Sequence, residues 1–142
     1  MATYNLATIR ANLKTLLESV TQIAHVYDHF EMNIAGYPAI IFDISKNENS
    51  MLTDADNLRK ITFTIYILTE INVAGRDTAK DLLDTATNNV VTALESLANM
   101  TLSGSCDWIM PAVGNRDEFA VGDGLVFSQK IDLDVNISSS IV

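Results

Sequence analysis

A strand with regular alternation, followed at once by a long amphipathic helix, constrains the fold of this chain more than any other feature. From Ile61 to Glu70, isoleucine and phenylalanine alternate with threonine and tyrosine, which places the two sets on opposite faces of a strand. From Arg76 to Leu97, apolar residues recur at three- and four-residue steps and line one side of a helix. These helical positions are Ala79, Leu82, Leu83, Ala86, Val90, Ala93, Leu94 and Leu97. Because each element has one apolar face, we expect the helix to pack against the sheet.

Shorter patterns predict an α+β fold with the element order α-β-β-β-α-β-β. A first helix is expected from Leu6 to Val20, where apolar residues repeat at helical spacing and Asn5 can cap the start. Short strands are expected at Ile23–Tyr27 and Tyr37–Ile44. We therefore expect a mostly antiparallel sheet of four to five strands packed against two helices, in a single domain over residues 1–142.

The C-terminal part of the chain predicts two further strands. Ser105–Met110 is expected to form a strand that Pro111 stops, because proline cannot donate a ladder hydrogen bond. The glycines within Val113–Gly124 predict a loop with a tight reversal. The last strand is expected over Phe127–Ile137 with its polar face in water, and Ser138–Val142 is expected to be a loose tail.

The polar segment Ser45–Leu58 is long for a connection within a compact domain. It is either a solvated loop or hairpin tip, or a protruding arm that reaches a neighbouring subunit. In the second interpretation, Met51 and Leu52 are the anchors at a subunit interface. Arg59 and Lys60 at the base of the arm can then pair with acidic residues of the next subunit, although charges at such positions are more often simply solvated.

The charge of the chain disfavours several partners. Eighteen acidic residues against nine basic ones give a formal charge of −9, so the average surface repels nucleic acid and anionic membranes. The same charge suits a wall that DNA slides past without sticking. The apolar runs are too short to span a bilayer, and the start of the chain has no basic region followed by an apolar core.

The residues that carry chemistry do not form a recognisable catalytic pattern. His25 and His29 are four residues apart in a segment expected to be extended, which separates them, and Asp54-x-Asp56 lacks the glycine and glutamate of a calcium loop. Asp132 and Asp134 lie within range of a carboxylate pair, but a solvated sheet face explains them better. Cys106 is expected to be a small buried apolar thiol. We therefore expect no enzymatic activity, no cofactor and no metal.

The order of these elements resembles the tail terminator and head–tail joining proteins of long-tailed bacteriophages. The resemblance rests on Tyr37–Phe42, on the polar arm, and on Leu58–Ile67 followed by the helix through Ala79, Leu83, Val90 and Leu94. The closing strand Phe127–Ile137 completes it. It covers most of the chain and lies in pattern and element order, with no invariant catalytic motif.

The resemblance implies a virion structural protein whose chemistry is assembly. Members of this family form rings, commonly hexamers, that cap the tail tube and present a docking surface to the head connector. The implied partners are further copies of the chain, the tail tube protein and a head connector or completion protein, with DNA passing through the ring without specific binding and no membrane involved. The implied location is the neck of the virion, after assembly in the host cytoplasm.

Two other functions fit the same patterns. One is another ring of the neck, such as a stopper or head-completion protein, because similar folds serve different docking partners. The other is a small-ligand-binding or enzymatic α+β domain that uses Asp132, Asp134 and His25.

Overall fold

The computed structural model describes residues 5–30, 34–51, 56–71, 75–121 and 124–140, with side chains throughout except at 50–51, 56–57, 121 and 139–140. It confirms an α+β fold with the predicted element order. The elements are α1 Leu6–Glu18, β1 His25–Tyr27, β2 Ala39–Met51, β3 Asp56–Glu70, α2 Arg76–Glu95, a 3-10 turn Leu97–Asn99, β4 Trp108–Val121 and β5 Gly124–Ser140.

The five strands form one mixed sheet in the order β1-β2-β3-β5-β4. Strand β1 runs parallel to β2, and the other neighbouring pairs are antiparallel. The β3–β5 pair lies at the centre of the sheet and is continuous from Asp56 opposite Ser140 to Glu70 opposite Val126. The central pair therefore fixes the register in which the outer strands are placed.

Both helices pack against the same face of the sheet, which we call the covered face. The Phe42 and Phe63 rings meet there edge to face, with 6.0 Å between their centroids. The alternation predicted for Ile61–Glu70 is confirmed, because Ile61, Phe63, Ile65 and Ile67 are all fully buried. The residues that complete this core include Ile9, Leu13 and Leu17 of α1, Leu83, Ala86, Val90 and Leu94 of α2, and Ile131, Leu133, Val135 and Ile137 of β5.

The helix starts and ends differ slightly from the predicted bounds. Asn5 caps α1 as expected, since its side-chain oxygen accepts a hydrogen bond from the Thr8 amide at 3.1 Å. Helix α2 ends at Glu95, so Leu97 lies in the following 3-10 turn and is 81% exposed, although helical spacing had placed it on the apolar side. Repetition of apolar residues does not mark a helix end.

The predicted strand end at Pro111 and the loop predicted over residues 113–121 are wrong, whereas the predicted tight reversal agrees with the pairing of Val121 with Gly124. Strand β4 continues through Pro111, which lies opposite Leu133, and reaches Val121. Proline is tolerated there because β4 is the outermost strand on its side of the sheet. The pairing shifts register between Val113 and Arg116, so Gly114 and Asn115 belong to a bulge within the strand.

The predicted tail at Ser138–Val142 is also wrong over its first three residues. Strand β5 extends to Ser140, and residues 138–140 pair with residues 56–58 of β3. Residues 141–142 lie outside the described part of the chain.

The polar segment Ser45–Leu58 is mostly a continuation of β2 and β3. Ser50 and Met51 pair with Leu58 and Asn57, and a register shift between Ile44 and Lys46 marks the point where the polar part begins. The described residues of this segment therefore form a β-hairpin and not an irregular loop. Because β5 also pairs along this part of β3, the extension is three-stranded, and we call the paired β2 and β3 part of it, residues 45–51 and 56–60, the hairpin.

Core packing predicts a large loss of stability in Phe63→Ala, whose side chain is fully buried against Phe42. The free energy of unfolding should fall by about 3–5 kcal/mol, from lost apolar burial and the cavity left behind. Leu97→Ala, at an exposed position, should change it by no more than about 0.5 kcal/mol. Urea denaturation followed by circular dichroism measures both, and a comparable loss in the two variants would show that Phe63 is not a core residue.

Candidate interaction surface

The sheet face opposite the helices, which we call the open face, has a polar half and an apolar half. Its polar half is built by the hydroxyls of β3 and the carboxylates of β5. Thr62 donates to Asp134 at 2.8 Å, and Thr64 donates to Asp132 at 3.3 Å. The Lys60 ammonium lies 3.5 Å from Asp134. The sequence predicts that this polar face meets water. In the structure, its side chains also bind one another across the two strands.

Asp132 and Asp134 are therefore held in a row along one strand. Each carboxylate accepts a hydrogen bond from a threonine of the neighbouring strand, and each side chain remains partly exposed. Neither residue lines the four cavities of about 210, 280, 410 and 670 Å³ on the described part of the chain. Because both groups are turned to the hydroxyls of the same sheet face, the geometry does not support a carboxylate pair placed across a cleft for glycoside hydrolysis.

The apolar half of the open face lies at the other end of the same strands. Ile41, Leu68 and Val126 are buried there in a cluster separate from the main core. The partly buried side chains packed around them are Tyr27, Ile34, Tyr37, Tyr66 and Phe119. We call this group the apolar zone. Among the described residues it contains no helical residue, so nothing from α1 or α2 covers it.

A depression of about 280 Å³ opens on the apolar zone. Phe30 stands at its rim with 68% of its surface exposed, and its ring lies 5.9 Å from the ring of Tyr66. The depression is lined by Phe30, Ile41, Tyr66, Asp117, Phe119 and Ser128. Large aromatic groups beside one carboxylate are typical of a docking surface for apolar side chains.

Burial also alters a tyrosine of this zone. Loss of water around Tyr37 raises the pKa of its phenol, and the charge of Glu70 and the neighbouring Tyr27 raise it further. The neutral phenol is therefore favoured, and Tyr37 acts in the zone as an uncharged aromatic group. This is consistent with an apolar contact surface.

Three of the four residues predicted at a subunit interface, Met51, Arg59 and Lys60, belong to the described part of the hairpin. Arg59 and Lys60 are neighbours on β3 and therefore point to opposite faces of the sheet, with Lys60 on the open face beside Asp134. Both side chains are partly buried. Met51 is the last residue of β2, and Leu52 lies outside the described residues. A single flat contact therefore cannot use Arg59 and Lys60 together.

Two ion pairs connect strand β4 to helix α2 on the covered face. Arg76 of α2 binds Glu118 through two hydrogen bonds of 2.9 Å, which hold the pKa of that carboxyl below its usual value. Arg116 forms a second ion pair with Asp84 at 2.5 Å. These contacts position the end of β4 that carries Asp117 and Phe119, and so they position one wall of the depression.

A buried glutamine holds the bulge of β4. The Gln129 amide nitrogen donates to the carbonyls of Gly114, at 2.8 Å, and of Lys130, at 3.0 Å. Its side-chain oxygen accepts from the Arg116 Nε at 2.6 Å. Gln129 is 2% exposed, so these bonds satisfy a polar group that water does not reach.

The thiol of Cys106 is buried, as the sequence analysis predicts. Loss of water raises the pKa of Cys106 from 9.0 to about 12, and the nearby charge of Asp107 adds to the effect. Its Sγ lies 3.8 Å from the Met100 carbonyl oxygen, to which it donates. A neutral, shielded thiol is a poor nucleophile.

The histidines are arranged around an aromatic ring. His25 lies in β1, and the Tyr27 ring is 6.2 Å from the His25 ring and 6.5 Å from the His29 ring. His29 contacts Asp28 at 3.1 Å. Within the ranges that the structure describes, no three His, Cys, Asp or Glu side chains are grouped to hold a metal ion. Asp54 of the calcium-loop comparison lies outside those ranges, as does the Asp56 side chain.

Three further cavities lie on or beside the helices. Two of them, of about 210 and 410 Å³, run along the groove between α1 and the end of α2. The amides of Asn12, Asn89 and Asn99 there already donate to backbone carbonyls of this chain. A third, shallow one of about 670 Å³ lies along the outer side of α1. None of the three is lined by an aromatic side chain, in contrast to the depression on the apolar zone.

Of the helices in the described part of the chain, none has both the length and the apolar character needed to cross a membrane. No protein-family model matches the chain, and no curated protein matches it in sequence.

The raised pKa of Cys106 predicts a change of stability at alkaline pH. Because the pKa in the folded chain, about 12, lies above the ordinary value of 9.0, burial of the neutral thiol stabilises the fold fully below pH 9. That contribution is lost as the pH rises from 9 toward about 12. Over this interval, the free energy of unfolding of the wild-type chain should therefore fall relative to that of Cys106→Ala. Urea denaturation at several pH values measures it, and a constant difference would contradict the assignment.

The bulge predicts that Gln129→Leu destabilises the chain although leucine is apolar and of similar size. Loss of the amide leaves the Gly114 carbonyl and the Arg116 Nε without these partners, and the free energy of unfolding should fall by about 1–3 kcal/mol. Asn115→Ala, at an exposed position in the same bulge, serves as the control. Equal stability of Gln129→Leu and wild type would show that the bulge does not depend on the glutamine.

Proposed function

We propose that this chain is a virion structural protein that assembles into a ring, caps the tail tube of a long-tailed bacteriophage and joins it to the head connector. The observation that carries the proposal is the one-sided covering of the sheet. Both helices pack on the covered face, while the open face presents an aromatic depression at one end and a hairpin extension at the other. A protomer with a depression at one end of a sheet face and a strand extension at the other is suited to repeated contact with copies of itself.

Exposed apolar side chains support an assembly role. Phe30 is 68% exposed, Met110 is 58% exposed and Trp108 is 38% exposed. The register places Trp108 and Met110 opposite Asn136 and Asp134, so they lie along the β4 edge of the open face. A sheet face that carries large apolar groups over much of its length is typical of an interaction surface.

The charge of the chain supports a channel through which DNA passes. The net charge is −9, and the open face carries the carboxylates of Asp117, Asp132 and Asp134. An acidic wall repels the phosphate backbone and so permits movement without specific binding. The element order that resembles tail terminator and head–tail joining proteins is retained in the described fold.

The proposal predicts a particle several times heavier than the 15.5 kDa chain, either free or in the presence of tail tubes. Light scattering gives the mass, and negative-stain imaging shows whether the particles are closed rings on tube ends. Purified tubes and purified head connectors are tested separately, with the chain alone as the control. Binding to connectors without binding to tubes would assign the chain to another ring of the neck. Particles of 15.5 kDa under all three conditions would contradict the proposed function.

A further inference from the structure

The inference concerns how one copy meets the next, and it rests on the ring assembly proposed above. We infer that the depression on the apolar zone of one copy receives the segment of a second copy that begins at the hairpin end, Met51, and continues with Leu52 in the sequence. The occupant is thus the chain itself, and the contact is head to tail. The size of the depression, the length of the strands and the distribution of charge each point to this occupant.

The depression is suited to side chains more than to a metabolite. Its volume of about 280 Å³ lies just below the range of about 300–1,000 Å³ that is typical of small-molecule sites. Its walls are mostly aromatic and aliphatic, and its Ser128 hydroxyl already donates to the Asp117 carbonyl at 3.3 Å. Few polar groups are left to orient a polar ligand, whereas one or two apolar side chains find contact on several sides.

The hairpin of the same copy cannot fill its own depression. Ile41 of β2 and Tyr66 of β3 both line the depression, and the same two strands run from there to the hairpin end. Ten residues separate Ile41 from Met51, which at about 3.3 Å per residue is roughly 33 Å. Because β3 is paired on both sides along this length, the hairpin cannot fold back. The two features must therefore meet between copies.

The composition of the hairpin matches the depression. Met51 and Leu52 are the only large apolar residues between Ser45 and Asn57, and flexible methionine adapts well to an irregular apolar surface. Residues 45–60 contain three basic and three acidic residues, so the whole net charge of −9 lies elsewhere in the chain. A neutral segment is repelled least by the acidic surface of another copy, including Asp117 and Glu70 near the depression.

A contact between two different surfaces has a consequence for assembly. When the hairpin end of each copy occupies the depression of the next, the contact repeats in one direction and closes into a ring if the rotation permits. Each copy then has one occupied depression and one inserted hairpin. In a symmetric dimer, by contrast, the contact surfaces of both copies are used within the pair, so no further copy can be added.

Two charge-introducing variants test the contact from its two sides. Phe30→Asp places a carboxylate at the exposed rim of the depression, and Leu52→Asp places one in the segment that follows Met51 in the sequence. Leu97→Asp, at a residue 81% exposed beside the helices, is the matched control. Circular dichroism and urea denaturation verify that all three variants fold. Mass is measured by light scattering under the condition, free or with tail tubes, in which the wild-type chain assembles.

The expected results are specific to a head-to-tail contact. Leu97→Asp should assemble as the wild type does, while Phe30→Asp and Leu52→Asp should each remain at 15.5 kDa. An equal mixture of these two variants should form dimers and nothing larger, because one intact hairpin then meets one intact depression. Each partner in that dimer has its remaining contact surface disabled.

The measured masses separate a wrong contact surface from a chain that does not assemble. If the wild-type chain assembles and either variant assembles equally well, or if the mixture yields no dimer, the inference is overturned while the ring remains. Loss of tube binding without loss of self-assembly would place a tail tube protein in the depression and would also overturn it. If the wild-type chain never assembles, the proposed function and the inference both fail.

Discussion

The antiparallel pairing of β3 with β5 is the constraint on which the rest of the structure depends. The pairing is unbroken along the whole of β3, and it fixes where every side chain of the two central strands points. The fully buried isoleucines, Phe63 and Leu133 face the helices, whereas Thr62, Thr64 and the two aspartates of β5 face outward. A shift of one residue would exchange these two sets between the faces. Burial of the covered face therefore determines the open face as well.

The two features of the open face are products of the same register. Its apolar zone joins side chains that are far apart in sequence, including Phe30, Ile41, Tyr66 and Phe119. Its other end is a sheet extension in which both β2 and β5 pair with β3. Because the same strands carry a depression at one end and a hairpin at the other, the spacing between the two is set by the sheet. A rigid spacing of this kind suits a subunit that repeats around a ring.

The sequence predicted the parts of the fold that have a strong period and missed those that lack one. Strand β3 and helix α2 carry regular apolar patterns, so both were predicted from those patterns alone. The hairpin has no apolar period because both of its faces are polar, and Pro111 with Gly114 resembles a chain break. Pro111 and Gly114 are compatible with a strand because β4 lies at the edge of the sheet. Met51, Leu52, Arg59 and Lys60 were predicted from local composition, whereas the depression required contacts between distant residues.

Oxidative footprinting of the assembled chain against the dilute chain tests most directly whether the open face is the contact surface. The account predicts that Phe30, Tyr66 and Met51 become protected on assembly, while Leu97 on the helix side is labelled to the same extent in both states. Unchanged labelling of Phe30 and Tyr66 in an assembled particle, with protection confined to the helix side, would contradict it.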